Sequence, residues 1–219
     1  MEQTQQPVLD GEERIIQART VLNAVQMSMD SHSPQSRAEA EAALRNWESD
    51  AAPGFLQALL DISGAIGANY VGENVRLLAT VLAKNAVGSS WRKTLGTREW
   101  SRVPESEKEH VRSAAASLLF EEPERRVATQ TGLLIANIAR FDFPARWPTL
   151  LADLTSAAWW KEQNNRPEAV KQNDRALFTL KHVVRAVKSK RIVVETNGPS
   201  GGSVSTAGWS FLLLTAMKG

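Results

Sequence analysis

The 219-residue sequence contains no cysteine. That absence excludes a disulfide framework, a zinc ribbon, a thiol nucleophile and an iron–sulfur cluster. Histidine is scarce as well. His32, His110 and His182 lie far apart, without HxxxH or HExxH spacing, so no local histidine metal site is expected. The chain has no GxxxxGK[ST] loop, no GxSxG elbow and no glycine-rich phosphate loop after a strand. No cofactor, no metal and no catalytic activity are expected. Long apolar runs are missing too. The longest near either end, residues 209–217, falls short of the roughly 20 residues a membrane-spanning helix needs. The start has no basic region followed by an apolar run, so it does not read as a secretory signal. These absences describe a soluble intracellular protein without a membrane partner.

A strong net charge is also lacking, since 26 basic side chains face 24 acidic ones. The near-cancellation hides a gradient. Residues 1–70 carry four basic and ten acidic side chains, whereas residues 161–192 carry nine and three. Hydrophobic residues make up 42% and charged residues 23%, the balance of a globular domain rather than a disordered or fibrous chain.

The apolar spacing is helical almost throughout. It predicts a first helix over about 12–30. Ser33-Pro34 then supplies an N-cap and a first-turn proline for a second. Phe55, Leu56, Leu59, Leu60 and Ile66 form a stripe of a helix over 53–68. Val75, Leu78, Ala79, Leu82 and Ala86 form the next. Residues 88–104 have no period, two glycines and a proline, and read as a loop. Helices follow from Pro104, from Pro123, from about 148 and over 168–189, with a break at 141–148. The only strand-like run is 192–194.

About eight helices and no convincing strand predict an all-α fold. Helix starts near 34 and 53, 72 and 105, and 123 and 148 suggest three pairs. Their spacing of about 38 and 51 residues brackets the HEAT and armadillo period of roughly 40–47. The expected architecture is therefore a HEAT/armadillo-like helical-repeat solenoid, a right-handed superhelical stack of antiparallel helix pairs. Such a stack offers a concave surface for a partner. The tail behaves differently: residues 196–208 hold four glycines and a proline. It cannot bury enough apolar surface to offset its ordering entropy.

Four stretches carry a resemblance. Ala40, Leu44 and Trp47 precede a Pro53-Gly54-Phe55 start. Val75, Arg76, Ala79, Lys84, Asn85 and Trp91 form a V-R-x-x-A…K-N…W pattern. Lys108, Val111, Arg112, Leu118 and Leu119 form the third. Gln130, Ile135, Ala136, Asp142, Pro144, Trp147, Pro148, Leu150 and Leu151 form a Q…I-A…D-x-P-x-x-W-P-x-L-L run. In order and spacing these resemble the amino-terminal domain of the importin-beta (karyopherin-beta) nuclear transport receptors. Residues 179–192 look most like the importin-eleven branch.

The resemblance implies HEAT repeats whose inner-face helices bind the GTPase Ran in its GTP form. It implies traffic between cytoplasm and nucleus, including the nuclear pore. Cargo proteins and nucleoporins would bind later repeats of a complete receptor. A monomer is expected. The implied organisation is an amino-terminal helix and linker over 1–33, the importin-beta domain over 34–151, a continuing repeat over 152–192 and a divergent tail over 193–219. Because the tail begins where another repeat should continue, the chain reads as a truncated product: a splice variant, a misread exon boundary or a fragment.

Gln57 and Asp61 on the third helix, and Glu109 and Arg112 on the fifth, lie off the core stripes and are candidate Ran contacts. Arg112 also fits a repeat-to-repeat ladder. Trp47, Trp91 and Trp147 are read as anchors of helix corners, Lys84 as a snorkelling side chain, Asn85 as bonding near the following loop, and Asp142 as a cap for a helix starting near Pro144. A HEAT scaffold without Ran dependence is one alternative. A helical RNA-binding module using the basic segment 171–191 is the other. Nucleic acid is disfavoured because that segment has little aromatic interleaving.

Overall fold

Ser33 opens its helix as the sequence requires. Its backbone is extended and its hydroxyl accepts from Ser36 N at 3.4 Å, with Pro34 in the first turn. A computed structural model of the chain describes residues 11–30, 32–65, 71–95, 98–100, 103–158 and 167–188. These residues form α1 (Gly11–Ser28), α2 (Pro34–Asp50), α3 (Phe55–Ser63), α4 (Glu73–Ser90), α5 (Glu105–Glu121), α6 (Arg125–Asp142), α7 (Leu150–Ala158) and α8 (Pro167–Lys188). The Trp159-Trp160 pair, the strand-like 192–194 and the tail lie outside the described residues.

The all-helical repeat fold is present, with three departures from the sequence reading. The first concerns pairing. Extensive contacts join α1 to α2, α3 to α4, α5 to α6 and α7 to α8. The expected pairs 34/53, 72/105 and 123/148 are therefore one helix out of phase. Helix starts alone cannot tell a turn within a pair from a turn between pairs. Buried faces decide it, and α1 buries Val21, Ala24 and Val25 in the shared core.

The second departure is in the loop predicted over 88–104. Helix α4 continues to Ser90. After it, β1 (Lys93–Leu95) and β2 (Arg98–Trp100) pair antiparallel as a short ribbon, with Lys93 opposite Trp100. Three-residue strands are too short for a period-two pattern to show. Third, α3 spans only Phe55–Ser63, short of the predicted 53–68, while α6 ends at Asp142, two residues into the break predicted over 141–148.

The pairs stack in two rows. One is α1–α3–α5. The other is α2–α4–α6–α8. In the second row α6 and α8 pack extensively, whereas α5 and α7 meet at most marginally among the described residues. Gly132 permits the tight crossing. A Cβ there would sit 2.6 Å from Thr179 Oγ1. One continuous core runs between the rows, from Val21 and Leu59 through Ala83 and Ile135 to Leu154 and Val183.

Candidate protein-interaction face

The polar residues that the motifs singled out occupy seams between helices, Arg76 and Lys84 between neighbouring pairs and Arg112 with Asp142 within the α5–α6 pair. Arg76 on α4 is buried and pairs with the buried Glu122 beyond α5, while its Nε donates to Val71 O at 3.1 Å. Glu122 also accepts from Glu124 N at 2.8 Å, so one carboxylate holds both the guanidinium and the start of α6. Glu107 on α5 reaches back to the start of α3, whose N-cap Gly54 has no side chain to offer. It accepts from Gly54 N at 3.1 Å and Gln57 N at 3.4 Å. Burial raises the Glu107 carboxyl above its ordinary value, and the backbone bonds from Gly54 and Gln57 oppose that rise. Arg175 on α8 does the converse for α5, donating to the carbonyls of Leu119 and Phe120 at 3.4 Å. The start of α3 and the end of α5 are thus each capped by a side chain of the following pair.

The densest seam joins α5, α6 and the 143–149 loop, which contains a cis Phe143–Pro144 bond. Arg112 Nη1 lies 2.8 Å from Asp142 Oδ2, and both residues are buried. Glu105 receives Arg112 at 3.1 Å and Arg146 at 3.0 Å, with Lys108 Nζ at 3.8 Å. Lys108 is buried beside the ring of Trp91, 5.5 Å from its centroid. Burial lowers the Lys108 ammonium below its ordinary value, against the opposing field of Glu105 and Asp142. Asp142 Oδ1 has no hydrogen-bond partner among the described residues. Asp142 does not cap a following helix with its carboxylate. Its backbone carbonyl makes the turn instead, accepting from Arg146 N at 2.7 Å and Trp147 N at 3.2 Å.

Along the α2–α4–α6–α8 row, Lys84 Nζ donates to Gln130 Oε1 at 2.8 Å, and Asn137 Nδ2 donates to Lys84 O at 3.3 Å. Lys84 therefore bridges α4 and α6 rather than merely snorkelling. Asn85 is exposed beside it. Trp91 and Trp147 are buried at helix boundaries, and Trp47 stacks obliquely on Phe55 at 6.0 Å. Pro144 and Pro148 are exposed in the loop before α7.

Gln57 and Asp61 on α3 and Glu109 on α5 belong to the α1–α3–α5 row. Asp61 is 3.8 Å from His110 Nε2, and Glu109 is exposed next to it. Arg112 is separated from them, buried against Asp142. These four residues rested on α3 and α5 being the second helices of their pairs, and the phase of the stack overturns that premise. Gln130 was read as a family-motif position without its role as an acceptor. Asn137, Glu107 and Arg175 were missed as linkers, because no spacing rule joins residues about fifty positions apart. Among the described residues no three His, Cys, Asp or Glu side chains are placed to hold a metal, and no helix is long and apolar enough to cross a membrane.

Residues 40–121 match the importin-beta N-terminal domain family. The chain is 33% identical over 156 residues to Importin-11 of Mus musculus, covering 71% of this chain and 14% of that protein. Importin-11 of Homo sapiens matches to the same extent. Importin beta-like protein KAP120 of Saccharomyces cerevisiae is 31% identical over 180 residues, covering 78% of this chain and 16% of the relative. The chain thus spans about one seventh of the length of the curated relatives it matches.

Proposed function

Because the chain carries an importin-beta N-terminal domain, we propose that it serves as the amino-terminal region of a nuclear transport receptor and binds Ran in its GTP form. The domain match carries the reading. The α4–α6 row supports it with partly exposed polar groups, Asn85, Gln130 and Asn137, rather than a large apolar patch. The contact surface is the α4–α6 face around Asn85, Gln130 and Asn137. The α1–α3–α5 row with Gln57, Asp61 and Glu109 is the competing surface, and Arg112 acts from within as the strut of the α5–α6 seam. The role is non-catalytic. Ran brings the nucleotide, and the receptor selects between its two states by differential affinity. In a receptor of the relatives' length, cargo proteins and nucleoporins engage other repeats, and the protein moves between cytoplasm and nucleus. The division at 34, 152 and 193 belongs to the same proposal, with α1 packed into the first repeat unit.

Calorimetric titration with Ran loaded with a non-hydrolysable GTP analogue, then with GDP, tests this. Binding of the GTP form alone is expected, and Asn85→Asp with Asn137→Asp weakens it at least tenfold. Loss on Asp61→Ala instead moves the site to the α1–α3–α5 row. No binding to either form by a chain with a folded helical circular dichroism spectrum overturns the reading.

A further inference from the structure

Helix α6 carries cations where helix stability alone would not put them. Arg125 and Arg126 stand in its first turn, which holds no carboxylate, and a positive charge there opposes the helix macrodipole. From Arg125 to Phe141 the helix contains three arginines and no acidic residue. With 3.6 residues per turn, Arg126, Gln130, Leu133, Asn137 and Arg140 fall on one stripe. Both arginines are exposed, and the three residues between them are half-buried. At 1.5 Å per residue the arginines stand about 21 Å apart along the axis. Beside the stripe, Lys84 of α4 gives its ammonium to Gln130 Oε1, a neutral acceptor that does not cancel the charge. Glu73 Oε1 lies 3.6 Å from Arg126 Nη1, yet the Arg126 side chain remains 66% exposed. The stripe is a lateral face of the stack and not its end. Helix α8 packs on a different flank of α6, the one bearing Gly132, so a following repeat lies beyond α8. The paired helix α5 has the opposite sign. Glu105, Glu109 and Glu121 are exposed on it, whereas its cations Lys108 and Arg112 are buried.

We propose that the α4–α6 face takes an acidic protein surface, with Arg126 and Arg140 as electrostatic poles at its two ends and the polar groups as its centre. This deepens the Ran-GTP reading and rests on it, the acidic surface being one on the GTPase. Exposed charges at the edge of a contact act on the association rate and its salt dependence, whereas groups desolvated at the centre act on dissociation. Arg126 and Arg140 therefore set how fast the partner arrives. Asn85, Gln130 and Asn137 set how long it stays.

The spacing and sign of the charges select this occupant. A strand of a nucleic-acid duplex carries a charge about every 3.4 Å, far denser than Arg126, Lys84 and Arg140 spread over about 21 Å. A second copy placed α6 against α6 would bring cations onto cations, which an isologous interface cannot avoid.

The test is stopped-flow association of the full chain with Ran carrying the non-hydrolysable GTP analogue, repeated as salt rises. The association rate should fall steeply with salt. Arg126→Glu with Arg140→Glu should slow association about tenfold or more at low salt and match wild type near about 1 M salt. Dissociation should change by no more than about twofold. Circular dichroism should be unchanged, because both side chains are exposed. Glu109→Lys with Glu121→Lys is the control on α5 and should not slow association. A rate indifferent to salt and to the arginine reversal would overturn the proposal while leaving nucleotide-selective binding, and so the reading above, intact. Faster association after the arginine reversal would mean a basic partner surface and would also overturn it. Slowing by the α5 reversal instead would move the contact to α5. An oligouridylate that competes with Ran for wild type, and no longer binds the arginine double variant, would assign the stripe to RNA. Failure of Ran to bind in either nucleotide form would overturn the earlier reading and this one together.

Discussion

The α1–α3 contact and the α5–α6 seam solve the same packing problem by different means. Around α3 nearly every position is buried and apolar: Phe55, Leu56, Leu59, Leu60 and Ile62. At the end of α6 the contact is ionic, with Arg112, Asp142 and Lys108 buried between helices of similar length. Apolar burial is non-directional and scales with area, so it holds helices together without fixing their register. A buried ion pair contributes little net energy but tolerates only one geometry. In this chain the charged seam fixes how α5 and α6 sit within their pair, while the apolar α1–α3 contact supplies adhesion between one pair and the next.

Separating these roles calls first for Arg112→Ala. It strands a buried Asp142 carboxylate and should cost about 3–5 kcal/mol in denaturant unfolding. Replacing the two together, Arg112→Met with Asp142→Leu, should recover most of that loss. If the double replacement were as damaging as the single one, the seam would owe its stability to attraction rather than to avoided desolvation. Leu59→Ala, in the apolar contact, should cost about 2–4 kcal/mol, and no second substitution nearby should rescue it.

Gly132→Ala places a methyl against Thr179 Oγ1 and should cost about 1–3 kcal/mol. Thr179→Ala in that background should restore much of it, because the hydroxyl is buried without a partner among the described residues. Thermal melts of the two variants measure the coupling. Ser33→Ala removes the α2 cap and should cost about 1 kcal/mol.

Lys108→Met should have the smallest effect at neutral pH. Its folded pKa lies below the ordinary 10.5, so the fold favours the neutral amine. The ionised side chain therefore penalises folding at neutral pH. That penalty is relieved as pH rises through the folded pKa and is gone above the unfolded one. Wild type should gain stability relative to Lys108→Met over that alkaline window. A constant difference between the two across the window would mean that the ammonium is fully compensated by Trp91 and Glu105.

Much of this was legible in the chain. Helical periodicity located both ends of α1 and α8, and the starts of α2 and α5, to within two residues. The Ser33-Pro34 signal named a real cap. The ordered motifs over residues 40–151 pointed to the family before any coordinate did. What the chain could not reveal shares one cause. Arg76 with Glu122, Lys84 with Gln130 and Glu107 with the start of α3 are each separated by about fifty residues, and no local rule joins them.

By itself, then, the sequence determined the helices and the kind of protein, because apolar spacing and capping act within a few residues. The tertiary structure alone decided which helix pairs with which, and that Arg112 is a buried strut against Asp142. Those outcomes depend on desolvation, and desolvation is settled only when neighbouring pairs close over a side chain.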